Sequence, residues 1–221
     1  MLKAIILDLD NTVYKYDVCH EFAIDKTYEY LKNITEISKS DFFSMLDEVK
    51  KQVKIDLKDT ASSHNRLFYF QKLLENLNIN PLNKADTMYE IYWNNFFEKM
   101  VLRNGCIDLF KYLKQNDIKI AICTDLTAYL QYKKIEKLRI DRYIDCIVTS
   151  EEVGVEKPNI KMFDTITKKL DILNSECIYI GDDPIKDIEG ANNCNIEALL
   201  IEDDFFKIKK YIEGRISNEK Y

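Results

Sequence analysis

The chain has 221 residues, 46% hydrophobic and 32% charged, with a net charge of −6 at pH 7. That length and apolar content support a packed core, either one large domain or a core of about 130 residues carrying a smaller insert, and the lack of low-complexity tracts excludes global disorder. The negative balance offers no electrostatic footprint for a nucleic-acid polymer or an anionic membrane, although a bound cation can reverse the sign locally for a small anionic ligand.

The first predicted element is a buried strand over Lys3–Leu7, an apolar run rich in isoleucine. The start MLKAIILDLD carries neither the long apolar stretch nor the small-residue cleavage site of a secretory leader. No segment approaches the ~18 apolar residues of a membrane-spanning helix. Directly after the strand stand Asp8, Asp10 and Thr12, two carboxylates and a hydroxyl where a chain leaves its core.

Residues 15–100 contain no convincing strand. Phe42, Met45, Leu46, Val49 and Val53 form a helical stripe, Leu67, Phe70, Leu74 and Leu77 a second, and Met88, Ile91, Tyr92 and Phe96 a third. Ser38, three residues before Asp41, reads as an N-cap, and Asn80-Pro81 separates two helices. These stripes read as core packing within about four helices. The cluster Ser62-Ser63-His64-Asn65-Arg66 opens one of them. Either it faces solvent as an ordinary helix start, or Arg66 binds an anionic substrate group and His64 hydrogen-bonds a sugar or base. His20 reads as structural, and Tyr14 and Tyr16 line either the hinge or the site.

From residue 101 onward strands and helices alternate. Strands are expected at Ile118–Cys123, Cys146–Val148, Cys177–Ile180 and Ile196–Ile201. Between them, Ile107, Leu109, Phe110 and Leu113, and then Phe163, Ile166 and Leu170, have helical spacing. After Ile201 comes one amphipathic helix with a polar, frayed end. The pattern predicts an α/β fold: a doubly wound, Rossmann-like parallel sheet built from residues 1–14 and 101–221, with an all-helical domain over 15–100 inserted after the first strand. Six cysteines without a CxxC pair, and only two histidines, give no structural zinc site and suit reduced thiols in a cytoplasmic protein.

In an open parallel sheet, ligands bind beyond the carboxyl ends of the strands. Four strand ends carry polar residues here: Asp8-Leu9-Asp10-Asn11-Thr12, then Thr124-Asp125, then Lys157 in the loop GVEKP, then Gly181-Asp182-Asp183 with Asp187 four residues on. Singly each is a turn or a cap; in this order, each at a strand end, they read as one site.

That ordered set resembles the haloacid dehalogenase superfamily of phosphohydrolases. The DxDxT motif falls on Asp8, Asp10 and Thr12, the hydroxyl ending the second strand on Thr124, the lysine on Lys157, and GDxxxxD on Asp182 and Asp187. The stretch SEEVGVEKPNIKMFD looks especially like the pyrimidine 5′-nucleotidase and N-acylneuraminate-9-phosphatase subgroup, and the helical insert resembles that group's cap. The resemblance implies hydrolysis of a small phosphorylated metabolite, a nucleoside monophosphate or a sugar phosphate, with no nucleic-acid polymer or membrane as partner.

It also implies roles. Asp8 is the nucleophile that becomes an aspartyl phosphate, and Asp10 the general acid and base. Mg²⁺ is held by Asp8, Asp182 and the Asp10 backbone carbonyl. Thr124, the backbone N–H of Asp125, and Lys157 bind phosphoryl oxygens; Asp187 and Thr12 stand behind them. Two carboxylates as close as Asp8 and Asp10 should push one pKa up, which suits Asp10 as the acid. Asp183 reads as a turn residue. Thr124-Asp125 departs from the family's usual Thr-Asn: an Asp125 side chain facing the substrate would disfavour a second anionic group. The alternatives are a sugar phosphomutase of the same superfamily and a non-catalytic binding protein on the same fold. A carbon–halogen hydrolase is disfavoured because Asp10 and the full GDxxxxD are present.

Overall fold

The computed structural model describes residues 1–58 and 60–218. The chain divides into two compact units, Met1–Lys15 with Val101–Tyr221, and Tyr16–Met100.

In the first unit the β-branched runs form five parallel strands: β1 (Ala4–Leu7), β2 (Lys119–Thr124), β3 (Cys146–Thr149), β4 (Cys177–Gly181) and β5 (Glu197–Leu200). Their order is β3-β2-β1-β4-β5. β1 is therefore central and buried on both faces, which is why it reads as an unbroken apolar run rather than an alternating one. The chain winds from β1 through β2 to β3, then crosses to β4 on the other side of β1. The winding reverses at β1 and β4, the switch point where such sheets open a crevice. Leu7 is level with Ile122 on one side and Ile180 on the other, so the segments leaving β1, β2 and β4 emerge side by side.

Helices cover this sheet: α5 (Cys106–Gln115), α6 (Ala128–Leu138), a short α7 (Ser150–Val153), α8 (Ile160–Leu170), a short α9 (Gly190–Asn193) and α10 (Phe206–Asn218). Met162, Phe163, Ile166 and Leu170 of α8 pack on Ala4, Ile6, Ala121, Cys123 and Tyr179, so the spacing seen in the sequence is a sheet-facing stripe. Asn159 starts α8 by accepting from Lys161 N. The polar end expected beyond α10 reaches residues 219–221, which lie outside the described residues.

The second unit holds α1 (Tyr16–Lys32), α2 (Lys39–Leu57), a 3₁₀ turn at Ala61–His64, α3 (Arg66–Asn76) and α4 (Lys84–Lys99). Ser38 caps α2 through Asp41 N, as its spacing suggests. The stripes converge on a core of Phe42, Phe70, Tyr92, Trp93 and Phe96. No helix among the described residues is long and apolar enough to cross a membrane. All six cysteines are free thiols.

Candidate active site

β1 ends at Leu7, and the Asp8 N–H extends the ladder by donating to Ile180 O at 2.9 Å. Asp8 is thereby fixed at the sheet edge rather than in a mobile loop. Thr12, fully buried, returns over the turn, and its Oγ1 lies 3.2 Å from both Asp8 Oδ2 and Asp182 Oδ1. One hydroxyl thus ties the end of β1 to the end of β4.

Lys157 reaches in from the loop after β3. Its Nζ donates to Asp8 Oδ1 at 2.7 Å, to Asp187 Oδ1 at 2.6 Å and to the Tyr179 hydroxyl at 3.1 Å. Burial would lower its pKa, but Asp187 and Asp8 outweigh burial and hold the ammonium well above the usual lysine value. Asp187 stands on the π-helical turn Pro184–Glu189, and its Oδ2 accepts from Asp183 N at 3.1 Å. A Cβ on Gly181 would overlap this carboxylate, so glycine at the end of β4 is what lets Asp187 lie against the strand. Asp183 accepts from Ile185 N and Lys186 N; it is the turn residue expected.

Asp8, Asp182 and Asp187 each offer a carboxylate oxygen, all within 4.8 Å of one another. Asp187 accepts from Lys157, Tyr179 and Asp183 N and is the most deeply buried of the three, so Asp8 and Asp182 are the carboxylate pair better placed for a cation. Three carboxylates share one ammonium here. Burial, opposed by Lys157 and reinforced by Asp187 and Asp10, pushes the Asp8 carboxyl up to about 8. Burial and Asp187 also raise Asp182. A cluster short of positive charge and made of hard oxygen donors fits a divalent cation such as Mg²⁺.

Asp10 departs from expectation. Burial opposes its ionised form, but Lys134, Tyr14 and Gln131 overcome burial and hold its carboxyl below the usual range. Lys134 Nζ reaches Asp10 Oδ1 and Oδ2, both at 2.7 Å; Gln131 Nε2 donates to Oδ2 at 3.1 Å, and the Tyr14 hydroxyl to Oδ1. The carboxyl of the pair whose pKa rises is therefore Asp8, not Asp10. Gln131 also reaches Thr124 Oγ1 and the Asp125 carbonyl, each at 2.7 Å.

The Asp125 side chain is committed within the fold. Its Oδ1 accepts from Lys157 N at 3.0 Å and its Oδ2 from Lys186 Nζ at 3.0 Å; Lys186 also pairs with Glu156. The aspartate that replaces the usual asparagine therefore steadies the Lys157 loop and has its own counter-charge.

Lys134, Gln131 and Lys186 were not singled out in the sequence. Lys134 had a readable signal: Leu130, Lys134 and Leu138 fall at i, i+4 and i+8, so a lysine occupies the buried stripe of α6.

In the helical unit, the Arg66 guanidinium donates to His64 O at 2.6 Å and to the Tyr16 hydroxyl, and packs against the rings of Tyr69 and Tyr92. No carboxylate pairs with it among the described residues, and its buried Nε finds no acceptor. Burial, Arg66 and Lys50 push His20 down to about 3, so His20 is a neutral ring hydrogen-bonded to the Tyr92 hydroxyl at 2.7 Å. His64 contributes its backbone carbonyl to Arg66.

Comparison with known proteins agrees with this arrangement. Ribulose-1,5-bisphosphate 5-phosphatase of Halopiger xanaduensis is 34% identical over 91% of this chain and 85% of its own. Glyceraldehyde 3-phosphate phosphatase of Methanopyrus kandleri is 28% identical over 91% and 84%. The crystal structure of the HAD-hydrolase YfnB from Bacillus subtilis, bound to magnesium, superposes with a TM-score of 0.69 at 18% identity, covering 90% of this chain and 88% of that one. Residues 5–201 match the family described as haloacid dehalogenase-like hydrolase. The order of Asp8, Thr124, Lys157 and Asp182 along the chain, their meeting at one sheet edge, and these matches lead to one conclusion: the chain belongs to the haloacid dehalogenase-like hydrolases.

Proposed function

We propose that the chain is a divalent-cation-dependent phosphomonoesterase that hydrolyses a small phosphorylated metabolite, a sugar phosphate ahead of a nucleoside monophosphate, through an aspartyl phosphate on Asp8. The observation that carries this reading is Asp8 itself: a carboxylate fixed at the β1 edge, bound to Lys157 at 2.7 Å and tied through Thr12 to Asp182. A carboxylate needs no base to become a nucleophile, which suits a site built without histidine.

Asp8 attacks phosphorus. Its new O–P bond forms as the bond to the leaving group breaks, and Asp10, entering this step in its protonated form, gives that proton to the departing alkoxide; Lys134, which favours ionised Asp10, makes the protonated form a strong donor. Water then attacks the aspartyl phosphate and loses a proton to Asp10, which releases inorganic phosphate and restores Asp8. Lys157 neutralises phosphoryl oxygens and is itself held by Asp187. Thr124 and the backbone N–H of Asp125 complete the phosphate cradle. Asp8, Asp182 and the Asp10 carbonyl would hold a divalent cation, which would supply the positive charge that the cluster lacks.

One feature is compatible with a substrate that carries a second anionic group. The Asp125 carboxylate, turned to Lys157 N and Lys186, imposes no charge penalty on such a group. The named activities of the relatives support sugar phosphates, and the first is named for a bisphosphate. The test is phosphate release from ribulose 1,5-bisphosphate, glyceraldehyde 3-phosphate and a set of nucleoside monophosphates, with Mg²⁺ and with EDTA. We expect EDTA-sensitive turnover that is absent in Asp8→Asn. Turnover that survives EDTA or Asp8→Asn would overturn the mechanism, and a preference for nucleotides would overturn the substrate class.

A further inference from the structure

Lys134 is 0% exposed. Burying an ammonium costs several kcal/mol unless it is well paired, and a leucine at this place on α6 would complete the apolar stripe of Leu130 and Leu138 without that cost. The turn after β1 supplies the partner instead: Lys134 lies 124 residues from Asp10 and forks onto both of its oxygens at 2.7 Å. Gln131, one turn earlier on the same helix and also 0% exposed, bonds at once to Asp10 Oδ2, Thr124 Oγ1 and the Asp125 carbonyl. The two side chains connect Asp10 to the end of β2, where Thr124 and Asp125 lie.

The forked ion pair fixes the plane of the Asp10 carboxyl, and the Gln131 amide fixes its distance from Thr124. We propose that Lys134 and Gln131 are positioning residues for proton transfer, holding the Asp10 carboxyl where the leaving-group oxygen departs. The proposal rests on the reading of Asp10 as the acid of the first step: the P–O bond to the leaving group breaks, the Asp8 O–P bond forms, and the proton of Asp10 passes to the alkoxide.

Protonation matters for an alkoxide and hardly at all for p-nitrophenolate, which leaves as a stable anion. The experiment measures kcat/KM, which reports the step that forms the aspartyl phosphate, for glyceraldehyde 3-phosphate and for p-nitrophenyl phosphate with Mg²⁺. The variants are Lys134→Met, Gln131→Met and Asp10→Asn, each confirmed folded by its thermal transition. Lys134→Met and Gln131→Met are expected to lose about tenfold or more on the alkyl ester relative to the aryl ester, in the same direction as Asp10→Asn but by less. A loss equal for the two esters in both variants, or no loss, overturns the proposal when Asp10→Asn itself discriminates between them. If Asp10→Asn also falls equally on both, the acid role of Asp10 fails, and the positioning role fails with it. Gln131→Met keeps the test open if Lys134→Met does not fold.

Discussion

Asp8→Asn should do more than abolish turnover: it should remove a pH-dependent destabilisation of the metal-free protein. Burial raises the Asp8 carboxyl to about 8 in the folded chain, against about 3.9 when unfolded. Between those values the folded state holds a proton on Asp8 that the unfolded state has lost. Stability therefore falls as pH rises through that window, by about 1.4 kcal/mol per pH unit for one proton. From pH 5 to pH 7 the Asp8 contribution is about 3 kcal/mol, equivalent to roughly 5–11 °C for a chain of this size. Other groups titrate in both proteins, so the quantity to read is the difference between wild type and Asp8→Asn. In EDTA, the stability of Asp8→Asn relative to wild type should rise steadily from pH 5 to pH 7. With saturating Mg²⁺, which favours the ionised carboxylate, the pH dependence of that difference should vanish. Thermal or urea unfolding at several pH values measures it directly. Parallel stability curves for the two proteins in EDTA would refute the reasoning, because Asp8 would then be no more protonated in the fold than out of it.

Gly181→Ala places a methyl group into the Asp187 carboxylate; about 1–3 kcal/mol of overpacking is expected, together with lower kcat/KM as Lys157 loses its partner, and wild-type stability and turnover would count against this packing. Lys186→Met leaves Asp125 and the nearly buried Glu156 without the ammonium between them. Lys186 is 38% exposed, so the pair is worth only about 0–1 kcal/mol, but adding Asp125→Asn should recover stability, and a double variant less stable than Lys186→Met would contradict the pairing.

The elements that position the site were legible because their signals are local. Ala4–Leu7 and Cys177–Gly181 are apolar on both faces, so each reads as a central strand by composition alone. Asp8, Thr12, Lys157, Asp182 and Asp187 could be assembled from the sequence because parallel strands deliver their carboxyl ends to one edge, which turns order along the chain into proximity. Asp10 could be placed but not characterised. Its ionisation is decided by Lys134, which lies 124 residues away on a helix whose spacing alone does not say which strand end it faces. Asp125 was ambiguous for the same reason: its counter-charge, Lys186, is 61 residues on, in the turn after β4.

These two long-range pairs sort the charge of the site. Asp10 has Lys134, and Asp125 shares Lys186 with Glu156, so the carboxylates of Asp10 and Asp125 each face a lysine other than Lys157. At the β1–β4 switch point, Lys157 is the one ammonium among the described residues that serves Asp8 and Asp187, while Asp182 adds a third carboxylate. The uncompensated charge is thus confined to the Asp8–Asp182 side. Among the described residues a cation placed there meets carboxylates with no competing ammonium beyond Lys157, whereas one on the Asp10 side-chain carboxylate would have to displace Lys134. The lysines therefore leave the Asp8–Asp182 side as the carboxylate pair open to a divalent ion and set the Asp10 side chain apart from it.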